Sequence, residues 1–463
     1  MHGAHSLPVE SLIEIFDWAT YSPVREVQSI IDYPTPFECI EAENENRRIA
    51  AALRTKLALS LVCHHWRAIC AQFLFEYILI KQRLSDFGLA SALEAPERFG
   101  VHVKRVLIRQ YAPHPTEISV QEANETLRRI FTVCPNIRII SLGQILSTSA
   151  MNNSDPSTLA RVGTRGIRAQ RLDLLTGYSI DSTQQPNISH TYSLMSANVL
   201  STTLDLALRK CDVPSANHED VCLPNLHTLR ISGPRSNRGG FRTALAKIKL
   251  PSLRRIVVRD ITDYRPETPV RIGNIIKSNA SRILCFEVSG KPTTRNRVLA
   301  LCLMHALSCC INLEEVYFPL FLVSNPLDLR KTAKGCRSLR HVGIHITPND
   351  ELKRQDGRIG RGAVFGTLAS PTAPRNYEEW AWLRLTNTFN YFTTEQTIFP
   401  RLEKISLHGT QWLNYIPDSR FTVLLADAER KGITIQAVEK DVEEALRVCM
   451  SHPFEGTDVL GIS

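Results

Sequence analysis

Three arginines in the middle of the chain have the setting of an anion-binding surface. Arg230, Arg255 and Arg259 stand beside apolar residues in two strand-like segments. Side chains alternate along a strand, so these arginines would point to the face opposite the apolar one. Guanidinium groups bind carboxylates and phosphates through paired hydrogen bonds, which makes an acidic or phosphorylated segment the expected ligand. The alternative is an ordinary solvated polar strand face, and the sequence leaves both interpretations open.

Other residue groupings that could do chemistry lack the partners that the chemistry needs. Cys63, His64 and His65 are adjacent, but no second group of metal ligands follows, so we predict no metal site. The glycine-rich residues 347–376 have neither the preceding strand nor the Lys-Ser/Thr ending of a phosphate-binding loop. Gly-x-Ser-x-Gly and His-Glu-x-x-His motifs are absent from the sequence. We therefore expect no catalytic residue, no cofactor and no enzymatic activity.

Composition favours a globular protein outside the secretory pathway. Of the 463 residues, 43% are hydrophobic and 22% are charged, values that are ordinary for globular proteins. The N-terminal residues do not have the pattern of a secretory signal, so we expect the 12 scattered cysteines to be reduced thiols in the cytoplasm, the nucleus or both. The longest uncharged stretch, residues 298–313, is too short and polar to span a bilayer. The net charge of +9 is dispersed along the chain, so we expect neither a membrane nor a nucleic acid as partner.

An apolar-x-x-apolar-x-apolar pattern recurs from about residue 100 onward. Clear copies include residues 134–142, 223–231 and 250–258, several of them preceded by Pro or Cys. The middle apolar residues of the clear and weaker copies are Val106, Ile140, Leu172, Leu204, Leu229, Ile256, Phe286, Val316, Val342 and Ile405. Their successive separations are 34, 32, 32, 25, 27, 30, 30, 26 and 63 residues. The last separation is about two periods, which predicts a hidden repeat between Val342 and Ile405.

Each repeat is predicted to contain a helix, a tight turn and a strand. Helical periodicity precedes several copies, at residues 122–133, 241–250 and 298–308. Self-similarity at this period indicates an α/β solenoid with parallel strands on a concave face. This part of the chain, residues 86–430, resembles an irregular leucine-rich-repeat array. Residues 431–463 would form its C-terminal cap, with a closing helix at 441–449. The alternative is an ordinary α/β domain in which strands alternate with helices.

Two N-terminal segments carry apolar stripes at helical spacing. In the first, residues 7–16, Pro8 suits the first turn of a helix. The stripe that follows is Leu12, Ile15, Phe16 and Ala19. In the second segment, residues 57–67, one helical face is predicted to hold Leu59, Val62, Trp66 and Ile69. Residues 17–56 between the segments contain three prolines and then a polar run, which predicts a solvent-exposed insertion that is partly helical near its end.

The order of Leu-Pro, Ile-Phe and Val-Cys-x-x-Trp-Arg across these segments resembles the F-box. That short helical module attaches proteins to the adaptor of cullin–RING ubiquitin ligases. The resemblance implies a helical module at residues 1–85. The insertion at 17–56 exceeds the family's usual short connection and looks like the longer form of fungal F-box-like proteins. The adaptor-binding residues that the resemblance implies are Leu7, Pro8, Leu12, Ile15, Phe16, Leu59, Val62 and Trp66.

Together the two parts imply a substrate-recognition subunit of a cullin–RING ubiquitin ligase. The helical module would dock on the ligase adaptor, and the repeat array would hold an unknown target protein, with Arg230, Arg255 and Arg259 as the candidate target-binding residues. The alternative is a leucine-rich-repeat scaffold that binds partners without ligase attachment. Binding to the adaptor distinguishes these two functions.

Overall fold

The structure is a computed structural model that describes most, but not all, of the chain. The described residues are 7–20, 38–80, 87–94, 99–111, 129–145, 169–175, 202–209, 222–232, 249–259, 267–289, 297–322, 336–346, 377–394 and 398–451. The chain forms two compact units, Met1–Leu253 and Arg254–Ser463. None of the described helices is long and apolar enough to cross a membrane. The predicted glycine-rich loop at 347–376 and the predicted helix at 241–250 lie outside the described residues, except for the last two residues of that helix.

The described part of the first unit begins with helices and continues into six strands. Helix α1 (Val9–Ala19) is followed by α2 (Glu38–Ser60) and α3 (His64–Leu74). A short helix, α4 (Phe87–Glu94), and a 3₁₀ turn (Phe99–His102) lie between the first two strands. The strands are β1 (Tyr77–Ile80), β2 (Arg105–Tyr111), β3 (Ile139–Ile145), β4 (Arg171–Leu175), β5 (Asp205–Arg209) and β6 (Thr228–Ser232).

The second unit alternates strands with helices. Its strands are β7 (Arg255–Arg259), β8 (Cys285–Ser289), β9 (Glu315–Pro319), β10 (His341–His345), β11 (Lys404–His408) and β12 (Thr434–Ala437). Its helices are α5 (Glu267–Ser278), α6 (Arg297–Cys309), α7 (Tyr377–Thr394), α8 (Ser419–Arg430) and α9 (Lys440–Ser451). Helices α6 and α9 confirm the helical predictions at 298–308 and 441–449. In both units all described strand pairs are parallel and follow chain order, which confirms the α/β prediction and is the arrangement expected of a solenoid.

At most steps of the described sheet, one backbone carbonyl before a strand fixes the register of the next strand. The Glu76 carbonyl accepts hydrogen bonds from the amides of Lys104 and Arg105, at 2.9 and 3.0 Å. The same two-on-one arrangement repeats in the first unit at the carbonyls of Lys104, Arg138, Gln170 and Leu204, and in the second unit at those of Arg254, Leu284, Glu314 and Arg340. Buried backbone groups need partners, so this repeated pairing holds successive strands in step.

The observed register corrects three expectations about the repeats. Leu206, not Leu204, lies in the same row as Leu172, because Arg171 pairs with Asp205. Strand β10 pairs directly with β11, so no strand of a hidden repeat separates Val342 from Ile405. The described part of that interval holds α7 instead. Strands β1 and β12, which the repeat pattern missed, pair with β2 and β11. Strands therefore also occur within the predicted helical module and the predicted cap.

Short polar side chains connect the tight turns of neighbouring repeats. In the first unit, Asn136 Nδ2 donates to the Val101 carbonyl (2.7 Å) and Ser252 Oγ donates to the Pro224 carbonyl (2.6 Å). In the second unit, Asn312 Nδ2 donates to the Ser281 carbonyl at 2.8 Å. These bonds satisfy turn carbonyls that a strand ladder does not reach. The middle apolar residues of the described repeats are fully buried and form the core face of each unit.

A buried ion pair joins the helices of the first unit to its strands. Glu76, between α3 and β1, accepts from Lys56 Nζ on α2 at 3.0 Å and from Lys104 Nζ before β2 at 2.9 Å. Both Lys56 and Glu76 are buried. The stacked rings of Phe75 and Phe99 lie 4.5 Å apart beside this junction. The Glu76 carbonyl also sets the register of β2 against β1. One residue therefore links the helices of the first unit to its strands.

We expect Glu76→Gln to destabilise the protein by about 3 kcal/mol, because it leaves the buried Lys56 ammonium without a carboxylate. The measurement is the free energy of unfolding by denaturant. The control is Glu443→Gln, which removes one partner of the exposed pair with Arg447 on α9 and should change stability by less than about 1 kcal/mol. Equal effects of the two substitutions would show that the junction does not depend on this charge.

Candidate functional site

The three N-terminal helices form a small packed unit with its own core. Leu12 and Phe16 of α1 are buried against Ile69, Cys70 and Phe73 of α3. Leu59 of α2 and Trp66 of α3 pack against this cluster, and the Phe16 and Trp66 rings meet edge to face at 4.9 Å. The buried residues of α1 lie four residues apart, which places them on one side of the helix.

The second predicted helix is interrupted by a turn. Helix α2 ends at Ser60, and the turn at residues 61–63 leads into α3. The Cys63 side chain caps α3, because its Sγ accepts from the Trp66 amide at 3.5 Å. The expectation of one continuous stripe from Leu59 through Val62 to Ile69 was therefore wrong. Val62 leaves the helical face and becomes exposed in the turn.

The structure divides the predicted adaptor-binding residues into two groups. The exposed group is Leu7, Pro8, Ile15 and Val62. Leu12 and Phe16 are core residues, and Leu59 and Trp66 are half-buried against the same core. A core side chain cannot contact a partner while the helices stay packed. Of the predicted residues, the exposed group is therefore the one available for direct contact with a partner, and Leu12 and Phe16 are not.

Several exposed apolar residues near the predicted set escaped the sequence analysis. They are Val9, Ile13, Trp18, Leu57 and Leu61. Trp18 is 78% exposed and Leu61 is 85% exposed. Helical spacing could have predicted the exposure of Trp18. This residue lies on the side of α1 away from Leu12 and Phe16.

Buried ion pairs occupy the polar face of the first unit, the face opposite the apolar core residues of the strands. Arg171 Nε donates to Asp173 Oδ1 at 2.9 Å, and Ser141 Oγ lies 2.9 Å from Asp173 Oδ2. Arg105 is also 3.7 Å from Asp173. Arg230, one of the predicted target-binding residues, donates from Nε to Asp205 Oδ1 at 3.0 Å and makes a second bond to Oδ2. Arg230 is thus satisfied by an acid on the neighbouring strand.

The other two predicted target-binding arginines lie on β7 in the second unit and differ from each other. Arg255 Nη2 donates to Glu287 Oε2 at 2.6 Å. Arg259 forms no hydrogen bond or ion pair among the described residues, and its Nε is buried. The three arginines are therefore not equivalent, since an internal carboxylate neutralises two of them.

A chain of hydrogen bonds crosses β9, β10 and β11 on the polar face of the second unit. Tyr317 Oη donates to Glu315 Oε2 at 2.9 Å and lies 3.1 Å from His341 Nδ1. His341 Nε2 is 2.7 Å from Ser406 Oγ, which is 2.8 Å from His408 Nε2. Each hydroxyl has one proton, so the donors must run from His408 through Ser406, His341 and Tyr317 to Glu315.

The Ser406–His341 pair has the spacing of a serine nucleophile and its base. Ser406 is 1% exposed in the middle of a strand, which keeps a substrate carbonyl away from its hydroxyl. The hydrogen-bonded side chains need a glycine at position 343, because a Cβ at Gly343 would collide with the Tyr317 ring. The chain is therefore best explained as a packed, fully hydrogen-bonded surface rather than as a reaction centre.

Burial keeps the histidines of this face neutral. Desolvation lowers the pKa of His341 and of His345 to about 4. Desolvation also lowers the pKa of His408 to about 3, helped by the neighbouring His345, His341 and Lys404. Burial raises the pKa of the Tyr317 hydroxyl. Within the described part of the chain, no group of three or more His, Cys, Asp or Glu side chains could hold a metal ion.

Comparison with known proteins leaves the family open. No protein-family model matches the chain, and no curated protein matches it in sequence. One similar solved structure is a chain in the crystal structure of the Rad7 and Elc1 complex in yeast, with 12% identity over 82% of this chain and 94% of that chain. The TM-score of 0.28 is too low to show a common fold, so no function is inferred from this match.

Acidification should destabilise the protein through the three buried histidines. Their pKa values lie below the ordinary value of 6.5, so their stabilising contribution is complete above about pH 6.5. It falls as the pH drops toward 4, because the unfolded chain then binds more protons. Each histidine contributes a slope of at most about 1.4 kcal/mol per pH unit.

The measurement is the free energy of unfolding of wild type and His408→Gln between pH 7 and pH 4.5. The variant should be less stable at pH 7 and should show a shallower loss of stability on acidification. The control, His65→Gln on α3, removes an exposed imidazole and should keep the wild-type slope. Parallel curves for wild type and His408→Gln would contradict the buried, neutral state of His408.

Proposed function

We propose that this chain is a substrate-recognition subunit of a cullin–RING ubiquitin ligase. The helices α1–α3 would dock on the ligase adaptor, and the polar face of the strands would hold a target protein. The order of the Leu-Pro, Ile-Phe and Val-Cys-x-x-Trp-Arg motifs supports the docking role. Such a subunit would act in the cytoplasm, the nucleus or both, without chemistry of its own.

The observation that carries this proposal is apolar surface on a helical unit whose core is already complete. Leu7, Ile15 and Trp18 are exposed at α1, and Leu61 and Val62 are exposed in the turn between α2 and α3. Groups of exposed apolar side chains usually mark a protein-binding surface. Trp and other large side chains provide most of the binding energy in such interfaces. The unit therefore has the properties of a docking module.

The connection between docking helices and strands fits the task of such a subunit. Recognition subunits act by raising the effective concentration of a target near the ligase, since a bound target makes transfer nearly intramolecular. That effect is largest when the docking surface and the target surface are held at a constant separation. In the first unit, the Lys56–Glu76–Lys104 junction joins α2 to the start of β2 and would maintain that separation.

A repeat scaffold without ligase attachment is the second candidate. The observation in its favour is the separation of α1 from α2, whose nearest ends are Ala19 and Glu38. This distance along the chain exceeds the short connection usual in F-box modules. In that case the same polar face would bind partners, and the apolar residues of the helical module would contact a different protein.

The test is co-purification of the full chain with the cullin–RING adaptor. We expect a stable complex with wild type and at least tenfold weaker binding for the double substitution Ile15→Asp/Val62→Asp, because both side chains are exposed and apolar. Their exposure means that the fold should be retained, which thermal unfolding checks. Leu12→Asp/Phe16→Asp is unsuitable, since it places two carboxylates in the core of the module.

The matched control is Val423→Asp on α8, where the valine is 67% exposed and lies in the second unit. It should bind the adaptor as wild type does. Absence of a complex with well-folded wild type would rule out the ligase function and favour the scaffold. Unchanged binding by Ile15→Asp/Val62→Asp would place the adaptor contact elsewhere on the chain.

A further inference from the structure

The buried charged residues on the described polar face are paired within the chain, with one exception. In the first unit, Asp173 pairs with Arg171 and Asp205 pairs with Arg230. In the second unit, Glu287 pairs with Arg255. Arg259 has no carboxylate partner among the described residues. It is nevertheless more than nine-tenths buried, with 8% of its surface exposed.

The position of Arg259 explains why it has no partner on its own face. It lies at the end of β7 and is in register with Ser289 on β8, while the carboxylate of Glu287 is two residues away along β8. Glu287 is in register with Val257, between the two arginines of β7, and its Oε2 is bonded to Arg255. The register of β7 and β8 therefore brings two guanidinium groups, those of Arg255 and Arg259, next to a single carboxylate, that of Glu287.

A buried guanidinium without a counter-ion is unfavourable and cannot escape by losing its proton. Arginine stays charged at all ordinary pH values. Desolvating a charge without pairing it destabilises the folded state, so native proteins rarely contain such groups unless a function uses them. The missing counter-ion of Arg259 would then come from a bound molecule.

The surroundings of Arg259 favour an anionic group. On the described polar face of β7–β11, the cations are Arg255, Arg259 and Lys404, and the carboxylates are Glu287 and Glu315. The low pKa values of His341, His345 and His408 leave these histidines uncharged. The face thus has an excess of positive charge, and Arg259 is its buried cation without a carboxylate partner among the described residues.

We propose that Arg259 is the anchoring residue for an anionic side chain of the target protein, a carboxylate or a phosphate. This inference rests on the proposed role of the polar face in target binding and narrows three candidate arginines to one. Arg230 and Arg255 then hold the face together through their acids. The planar guanidinium offers a fork of donors that suits both carboxylate and phosphate oxygens.

The first experiment measures thermal stability without any ligand. Arg259→Met removes an unpaired buried charge and keeps the apolar volume of the side chain, so its melting temperature should equal or exceed that of wild type. The matched variant Arg255→Met leaves Glu287 buried without its partner and should melt at a lower temperature. A loss of stability in Arg259→Met as large as that in Arg255→Met would overturn the proposal, since Arg259 would then be a structural residue.

The second experiment measures binding of the full chain to an array of peptides in three matched forms: unmodified, with Asp or Glu, and with phosphoserine or phosphothreonine. Wild type should retain anionic peptides, and Arg259→Met should bind them about tenfold more weakly or worse, the loss expected for one charged hydrogen-bonding partner. The control, Arg447→Gln, changes an exposed arginine on α9 and should bind as wild type does.

Each result has a defined meaning. Retention of acidic and phosphorylated forms alike assigns a carboxylate-type ligand, and retention of phosphorylated forms alone assigns a phosphate. If wild type retains no anionic peptide, or if Arg259→Met binds as wild type does, the proposal is overturned. Adaptor binding by Arg259→Met is measured in parallel and should be unchanged, so that failure of this inference is separate from failure of the docking function.

Discussion

The two-on-one hydrogen bond that precedes most of the described strand pairings is the constraint on which the other features depend. A single carbonyl, such as that of Gln170, receives the amides of Leu204 and Asp205 and leaves the next strand no freedom to slide. Because the bond repeats from strand to strand, equivalent residues form straight rows within each unit. One set of rows is apolar and closes the core. The opposite set carries the polar face.

Straight rows also determine which charges can meet. Side chains on neighbouring parallel strands are close only at the same or the next position of the same face, as Arg230 and Asp205 are. A buried face tolerates charge only when such a partner exists. The same rule allows the hydrogen-bond chain from His408 to Glu315, which steps across three strands. Where the register supplies no acid, as at Arg259, the charge depends on something outside the face.

Much of the fold was predictable from the sequence, and the errors have physical causes. Apolar alternation located ten of the twelve described strands, but Leu204 and Leu206 differ by two residues and point to the same side. The apolar pattern therefore cannot choose between them, whereas the Gln170 carbonyl can. The long separation of Val342 and Ile405 likewise could not show whether the interval holds a further repeat or the helix α7. At the candidate site, the stripe on α1 was visible, but its burial depends on α3, which only the folded chain provides.

The distinction between buried and exposed residues of one motif decides how the helical module can work. Leu12 and Phe16 fill the core, so under the proposed docking function they would act without touching the partner. Ile15 and Val62 are exposed on the outside of that core, and their positions depend on it. Glu76 connects the helices to the strands in the same unit. Its side chain pairs with Lys56 of α2, and its carbonyl accepts the amides that set the register of β2. In the first unit, the helical module and the strands are therefore joined through this one junction, and a disturbance there would affect both.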